Sequence, residues 1–368
     1  MTSKVATRRV GGHHIAFATL VIVLLGWAGL GVEPAWLNID VFQFFTQQDP
    51  SAPRLVRMFA HDGEIGAIDW SPDGERIAAG GQLHRALIIW DARTGARLHT
   101  LDKEEGSISS VRWSSDGRYL AAGRMFTAAT RSHVAINVWE AQTGRKIHGF
   151  LGPDPSKPEA NDVRSGALAF SPDSTLLAAG HLGAVSIHEV ASGNRLSIVT
   201  GHIAVGIVVG FLSDSRLIVT SGPGPGPVVQ VFDAMSGNLV RTITGGDQTP
   251  FALAMRPDGL EIASGSYRET EVNIWDAKLG RMRRTLTGHT WPIRALEYSR
   301  DGRFLASAAP GGGVIVWNAK TGAYLSTLPN PSEYIDCLAF SPDGRYLAAP
   351  FERTVRIWDI SHVHSDHE

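Results

Sequence analysis

Four side chains that could bind zinc lie close together at the end of the sequence. They are His362, His364, Asp366 and His367. Imidazole nitrogens and carboxylate oxygens are common Zn²⁺ ligands, and a catalytic zinc ion keeps three protein ligands and one open position. Residues of these types at this spacing could therefore hold a metal ion.

The order His-x-His-x-Asp-His resembles that of metallo-β-lactamase-type hydrolases, in which such side chains hold two zinc ions. Those sites also need later ligands from a long downstream domain, and this sequence stops one residue after His367. A segment that can order only itself makes a weak metal site. We therefore predict a solvated His-rich tail over residues 361–368, without metal or cofactor. Adventitious zinc binding by this tail is the alternative.

No other catalytic motif stands out, and the charge is close to balanced. The sequence has no Gly-x-Ser-x-Gly elbow and no Walker loop, and its single cysteine, Cys337, excludes an intrachain disulfide. We expect Cys337 to be a small buried hydrophobic residue. The formal net charge is −2, and three of the 34 basic residues precede residue 14. The rest lacks the concentrated basic face that nucleic-acid binding needs, so nucleic acid is not an expected partner.

An uncharged apolar stretch, IAFATLVIVLLGWAGLGV, covers residues 15–32. As a helix it would extend about 27 Å, close to the ~30 Å hydrocarbon core of a bilayer. Basic residues precede it and Glu33 follows it, which places the N-terminus in the cytoplasm and the remainder outside. We predict a single-pass anchor over 15–32, between a basic tail (1–14) and a juxtamembrane linker (33–53).

A cleaved signal peptide is the alternative for this stretch. Gly26 and Ala28 have the small side chains and the spacing that a signal peptidase requires. Cleavage would give an exported soluble protein. Against cleavage, the apolar run is longer than the usual signal core of about 7–15 residues.

The remainder of the chain is an internal repeat of seven units. Each unit contains an apolar stretch followed by a turn like Ser-Pro-Asp-Gly, in which proline presets φ and Asp and Gly complete a type I turn. The turns read SPDG at 71, SSDG at 114, SPDS at 171, LSDS at 212, RPDG at 256, SRDG at 299 and SPDG at 341. Regular recurrence of one turn motif along a chain, as in these seven positions, is typical of solenoids and propellers.

A second marker, a residue pair like Trp-Asp, lies at the end of a strand rich in β-branched residues in each unit. The pairs are Trp90-Asp91, Trp139-Glu140, His188-Glu189, Phe232-Asp233, Trp275-Asp276, Trp317-Asn318 and Trp358-Asp359. Short apolar runs such as VNIW and VRIW precede them, as expected for strands buried between sheets. Four short strands in each of seven units predict 28 strands.

These residues resemble the WD-repeat family in its bacterial style, over about residues 54–360. The resemblance implies an all-β, seven-bladed β-propeller of four-stranded antiparallel blades. Three units also carry the family's histidine, as His61, His202 and His289. The family's Asp, six residues before the Trp, is absent from every unit, so its Asp-His-Ser-Trp hydrogen-bond network should be broken or replaced. The positions hold His84, His133, Leu182, Gly226, Glu269, Gly311 and Glu352.

The seventh unit ends at its third strand, which indicates how the ring closes. Residues 54–59 (RLVRMF) match the segments that follow the other Trp-Asp turns, such as RLHTL at 97. We expect this segment to supply the missing outer strand and to protect the terminal edges of the sheet.

Partner binding is expected on the face that carries the varied loops. The short turns of a blade lie on one face, and the loops between strands two and three and between units lie on the other. The long segments there are 123–134, 151–165 and 221–227. Large or charged side chains at the predicted channel mouth of that face are Glu64, Arg164, Trp291 and Tyr334. Trp, Tyr and Arg are the types that most often anchor interfaces.

Two functions follow from this pattern. The first is a membrane-anchored, non-enzymatic scaffold that binds protein partners. The second is a propeller-class enzyme, lactonase-like or quinoprotein-like, with its site in the central channel. The enzyme would need at least three convergent carboxylates or histidines, whereas the predicted mouth has Glu64, Arg164 and Tyr334. The scaffold is therefore favoured.

Overall fold

The computed structural model describes residues 52–82, 86–101, 106–125, 134–151, 167–181, 184–200, 208–221, 228–244, 250–266, 268–328 and 335–363. These residues form seven separate four-stranded antiparallel sheets. The predicted all-β, seven-bladed propeller is thereby confirmed. The predicted anchor over 15–32 and its helix lie outside these ranges. Within them, no helix is long and apolar enough to cross a membrane.

Each blade is a meander of four neighbouring strands. Blade 1 comprises β2 (Ile65–Trp70), β3 (Arg76–Gly81), β4 (Leu87–Asp91) and β5 (Arg97–Leu101). Blade 2 comprises β6 (Ser107–Trp113), β7 (Tyr119–Met125), β8 (Val134–Glu140) and β9 (Lys146–Leu151). Blade 3 comprises β10 (Leu168–Phe170), β11 (Leu176–His181), β12 (Ala184–Glu189) and β13 (Arg195–Thr200). Blades 4 and 5 comprise β14 (Val208–Phe211), β15 (Leu217–Ser221), β16 (Val228–Asp233) and β17 (Leu239–Thr244); β18 (Pro250–Met255), β19 (Glu261–Ser266), β20 (Val272–Asp276) and β21 (Met282–Leu286). Blades 6 and 7 comprise β22 (Ala295–Tyr298), β23 (Phe304–Ala309), β24 (Gly313–Asn318) and β25 (Tyr324–Leu328); β26 (Ala339–Phe340), β27 (Tyr346–Phe351), β28 (Thr354–Asp359) and β1 (Arg54–Ala60).

Blade 7 joins the two ends of the ring. The segment expected to complete it lies as β1 beside β28, antiparallel, from Arg54 opposite Asp359 to Ala60 opposite Thr354. Phe59 of β1 is buried and stacks on Trp90 of blade 1, with ring centroids 6.0 Å apart. The last blade is therefore locked both by backbone pairing and by packing on the first.

The core of the molecule lies between the blades. The described residues form seven hydrophobic clusters, and each cluster draws its side chains from two neighbouring blades. The second strands are rich in alanine, for example Ala78, Ala121 and Ala178, and these residues are fully buried. Small side chains suit these strands because both faces of each sheet are covered by neighbours.

The Ser-Pro-Asp-Gly turns are held by their own side chains. In the first, Ser71 Oγ donates to Asp73 Oδ1 at 2.5 Å, and the amide of Glu75 donates to the same oxygen at 2.9 Å. The last turn residue has a positive φ, 76° at Gly74, which favours glycine. Serine occupies this position in two turns, at Ser174 and Ser215, with φ of 64° and 56°.

Neighbouring turns also touch one another. A β-carbon on Gly117 would lie 3.1 Å from Pro72 Cγ in the preceding turn. Where the glycine is replaced, Ser174 Oγ accepts a hydrogen bond from the amide of Asp116 at 3.0 Å. The short turns therefore form a packed rim on one face of the ring.

The expected hydrogen-bond network inside the blades is truncated. In blade 6, Trp317 Nε1 donates to Ser307 Oγ at 2.8 Å, and His289 Nε2 lies 2.7 Å from the same oxygen. Gly311 occupies the place of the missing Asp, and His289 Nδ1 makes no hydrogen bond to a described residue. The His-Ser-Trp part of the network thus persists there without its acid.

Candidate functional site

Trp291 is the most prominent of the predicted partner-binding residues. It lies in the loop before β22, on the loop-rich face, and is 57 % exposed. The indole ring lies beside the turn between β23 and β24, where a β-carbon on Gly311 or Gly312 would be 3.9 Å from Nε1 or 3.7 Å from Cδ1. The ring is therefore supported by a glycine turn of its own blade, while more than half of it stays open to a partner.

The other three predicted residues are only partly placed. Glu64 is exposed in the loop before β2, on the same face as Trp291. Its backbone carbonyl accepts a hydrogen bond from the amide of Gln82 at 2.7 Å, which fixes the chain at this point. Arg164 and Tyr334 lie outside the described residues, as do most of the long loops 123–134, 151–165 and 221–227.

A cavity of about 420 Å³ lies at the opposite end of the channel, at the rim of short turns. All seven blades contribute to it through the ends of their first strands and the turns that follow. Asp69, Glu297 and Arg300 provide its ionisable groups. The remaining lining is Trp70, Ser115, Phe170, Pro172, Phe211, Met255, Pro257, Tyr298, Phe340 and Pro342.

Asp69 connects two blades at this end of the channel. Its Oδ1 accepts from the amide of Trp70 at 2.9 Å, and its Oδ2 accepts from the amide of Trp113 in blade 2 at 2.6 Å. Burial raises the pKa of the carboxyl group, against the effect of Arg112 and of the two amides. This carboxyl group is thus committed to holding blades 1 and 2 together.

Glu297 differs from Asp69 because no described residue forms a hydrogen bond with its carboxyl group. Burial raises the pKa of Glu297 to about 7, and the nearby charge of Asp69 adds to this effect. Arg112 and Arg300 lower the pKa but do not compensate for the burial. The carboxyl group can therefore exchange a proton near neutral pH while it faces the cavity.

A second charged layer lies towards the loop-rich face. Arg294 Nη1 is 3.5 Å from Asp336 Oδ1, and the guanidinium group lies 5.4 Å from the centre of the Phe251 ring. Cys337 follows Asp336 and is half-buried, so the prediction of a small buried residue is only partly right. Burial of the thiol and the charge of Asp336 raise the pKa of Cys337 well above the usual range. The thiol is therefore protonated and weakly nucleophilic at neutral pH.

The charged residues of the channel were not predicted, although the sequence carries a signal for them. The three residues before each turn read IDW, VRW, LAF, VGF, LAM, LEY and LAF. The middle residue is small in four units and charged in three, at Asp69, Arg112 and Glu297. A charged residue in an otherwise apolar strand end marks a position that faces the channel.

The described residues include no group of three or more His, Cys, Asp or Glu side chains that could hold a metal ion. Most of the His-rich tail, including His364, Asp366 and His367, lies outside the described residues. The prediction that this tail is solvated and free of metal stays a prediction.

Two family models match parts of the chain. The model described as WD domain, G-beta repeat matches residues 280–318 and 322–359. The model described as Anaphase-promoting complex subunit 4 WD40 domain matches residues 53–116. Both matches of the WD domain, G-beta repeat model run from the outer strand of one blade through the first three strands of the next. The sequence repeat is therefore shifted by one strand relative to the blades, in the same way that β1 supplies the outer strand of blade 7 from the start of the ring. No curated protein matches the chain.

Proposed function

From the premise that this chain is a WD-repeat β-propeller, we propose that it is a non-enzymatic protein-interaction scaffold held at a membrane. Residues 15–32 serve as the anchor, and the partner docks on the loop-rich face. The rigid closed ring supports this proposal, because it presents loops on a fixed frame and pays little ordering entropy on binding.

The exposure of Trp291 is the observation that carries the proposal. The other seven tryptophans of the described ranges are at most 5 % exposed and fill the seams between blades. Trp291 is 57 % exposed and belongs to none of the seven hydrophobic clusters. A large aromatic side chain that the core does not use is typical of an interface anchor.

A catalytic role receives less support from the described part of the channel. Asp69 and Glu297 converge at the short-turn end, and two arginines, Arg112 and Arg300, accompany them in place of further acids or histidines. Asp69 is occupied by two backbone amides. This arrangement lacks the third acid or histidine that we required of a propeller-class enzyme.

Site-specific photo-crosslinking in intact cells tests the docking face. A photoreactive amino acid at position 291 should give a crosslinked adduct with a protein partner, whereas the same residue at position 93, on the short-turn face, should give none. Trp291→Ala should weaken partner binding by about 2 kcal/mol, and Arg93→Ala should leave it unchanged. An adduct at 93 only, or normal capture by the Trp291→Ala variant, would place the docking face elsewhere.

Protease accessibility tests the anchor and its orientation. A protease added to intact cells, with any outer membrane permeabilised, should cleave the propeller. Alkaline extraction should leave the full-length chain in the membrane fraction and release a variant that lacks residues 1–53. Complete protection until lysis would reverse the orientation, and a soluble, shortened mature chain would show that residues 15–32 are a cleaved signal peptide.

A further inference from the structure

The cavity at the short-turn end of the channel has two unlike walls. Blades 3 to 5 contribute an apolar wall, and blades 1 and 6 contribute an ionic wall of Asp69, Glu297 and Arg300. The apolar wall consists of Phe170, Pro172, Phe211, Met255 and Pro257. Its continuity depends on Gly210, because a β-carbon there would lie 1.4 Å from Met255 Cε. The methyl group of Met255 thus occupies the space that a larger residue at 210 would fill.

The opposite charges of the ionic wall form no ion pair with one another among the described residues. No described basic group lies within ion-pair distance of the Glu297 carboxyl group, although Arg112 and Arg300 both influence its pKa. Arg300 is exposed and makes one long hydrogen bond, 3.5 Å to the carbonyl of Pro72. Arg112 donates to the carbonyl of Val111 at 3.0 Å. Glu297 lines the cavity and is partly exposed to it, so a ligand that donates to its carboxyl group would make a hydrogen bond that no described residue makes.

The charge balance of the ionic wall indicates the kind of ligand. Asp69 and Glu297 of this wall are offset by Arg300 and by the charge of Arg112, which acts on both carboxyl groups without lining the cavity, so the site is close to neutral when both are ionised. A ligand with a single charge would therefore leave one of the opposing groups unmatched. A ligand with both a donor cation and an acceptor anion would match both.

We propose that this mouth of the channel binds a zwitterion with an apolar body, of the chemistry of an α-amino acid with an aromatic or aliphatic side chain. The ammonium group donates to Glu297, the carboxylate accepts from Arg300, and the side chain lies against Phe170, Phe211 and Met255. The volume of about 420 Å³ lies within the range of about 300–1,000 Å³ that is usual for small-molecule sites. This site is on the opposite face from Trp291, so it is independent of the proposed partner surface.

Three probes with the same aromatic body test the proposal. They are L-phenylalanine, phenethylamine, which has only the cation, and 3-phenylpropionate, which has only the anion. Ligand-observed NMR on the full-length chain in mild detergent should give a dissociation constant for L-phenylalanine at least about tenfold lower than for either analogue. Equal or tighter binding of one analogue, or no binding of L-phenylalanine, would overturn the proposal.

Two variants separate recognition of the head group from loss of shape. Glu297→Gln should weaken L-phenylalanine and phenethylamine and leave 3-phenylpropionate unchanged. Arg300→Met, which keeps an apolar stem, should weaken L-phenylalanine and 3-phenylpropionate and leave phenethylamine unchanged. Glu75→Gln and Arg93→Met, at exposed positions outside the cavity, are the matched controls and should bind all three probes like the unmodified chain.

The pattern across probes keeps this test decisive even if a variant is less stable. Equal weakening of all three probes by Glu297→Gln or Arg300→Met would show that the pocket recognises only the apolar body. Unchanged affinity for L-phenylalanine in both variants would show that Glu297 and Arg300 do not bind its ammonium and carboxylate groups. Either result would contradict the proposal.

Discussion

Blades 6 and 3 fill the same position in two different ways. In blade 6, Trp317 is 2 % exposed, fills the seam with blade 5 and donates to Ser307. In blade 3 the position holds His188, which lies 2.9 Å from Ser186 Oγ and packs on Phe150 of blade 2 at 4.1 Å between ring centroids. The same backbone thus accepts either residue, but histidine is smaller and brings a group that can become charged.

The comparison teaches that the seams of the ring are equivalent in geometry and unequal in chemistry. A buried tryptophan contributes a large apolar area and satisfies its single N–H with one serine. A buried histidine must stay neutral, and burial lowers the pKa of His188 to about 4. The seam between blades 2 and 3 should therefore weaken in acid, whereas Trp317 contributes equally at any pH.

The largest effect should come from opening a seam altogether. Deleting residues 1–53 should leave a folded ring, whereas deleting residues 1–60 removes β1 and with it the pairing to β28 and the Phe59–Trp90 stack. Two sheet edges would then be exposed, and we expect aggregation or loss of the cooperative thermal transition. Differential scanning calorimetry of both truncations checks this, and equal melting temperatures would contradict ring closure by β1.

Exchanging the blade 6 residue for that of blade 3 should produce the next largest effect. Trp317→His should lower the free energy of unfolding by on the order of 3 kcal/mol, because it leaves a cavity in the seam and buries an additional polar ring. Urea unfolding followed by tryptophan fluorescence measures this. A loss below about 1 kcal/mol would show that this seam does not depend on the tryptophan.

Replacing His188 by an apolar ring should remove part of the acid sensitivity. The pKa of His188 is about 4 in the folded chain and about 6.5 when unfolded, so its contribution to stability is complete above pH 6.5. That contribution falls as the pH drops towards 4, by up to roughly 3 kcal/mol. His188→Phe, which copies Phe232 of blade 4, should flatten this decline and change little at pH 7.5.

His289 provides the control for that measurement. Burial also lowers its pKa to about 4, so the His188→Phe variant should retain the part of the acid-induced loss that arises from His289. Melting temperatures from pH 7.5 to 4 would show both effects. An unchanged slope in the His188→Phe variant would mean that His188 is not the acid-sensitive group of this seam.

A carboxyl group in the channel should show the opposite pH dependence. The pKa of Glu297 is raised from 4.5 to about 7, so its contribution to stability is complete below pH 4.5 and declines as the pH rises through 7. Glu297→Gln should therefore stabilise the chain above pH 7, by about 1–2 kcal/mol after solvent screening in the cavity. It should have little effect at pH 4.5, and destabilisation at pH 8 would contradict the assignment.

The smallest effect on stability is expected at Trp291. Trp291→Ala should change the free energy of unfolding by less than about 0.5 kcal/mol, since the side chain is mostly exposed and lies beside a glycine turn. Thermal unfolding beside that of Trp317→His provides the comparison. A marked drop for Trp291→Ala would show that this tryptophan supports the blade and is not reserved for a partner.

Much of the fold could be predicted because its signals are local. Ser71, Asp73 and Gly74 set their turn through bonds that span a few residues, so each turn is readable by itself. The outer strand supplied by residues 54–60 was also predictable, since it repeats the pattern of the other units. The candidate site was predictable only in part. Trp291 is exposed on the expected face, but Arg164 and Tyr334 lie outside the described residues.

The number of blades, their turns and the strands that form them follow from the amino-acid sequence alone. The set of charges that share the channel follows from ring closure, because Asp69, Arg112 and Glu297 belong to different blades and meet when seven sheets close into a ring. Ring closure likewise buries at His188 a group that can become charged, in a position where Trp317 brings none. Local hydrogen bonds need only neighbouring residues, whereas desolvation and long-range electrostatic effects depend on everything that the closed ring brings together.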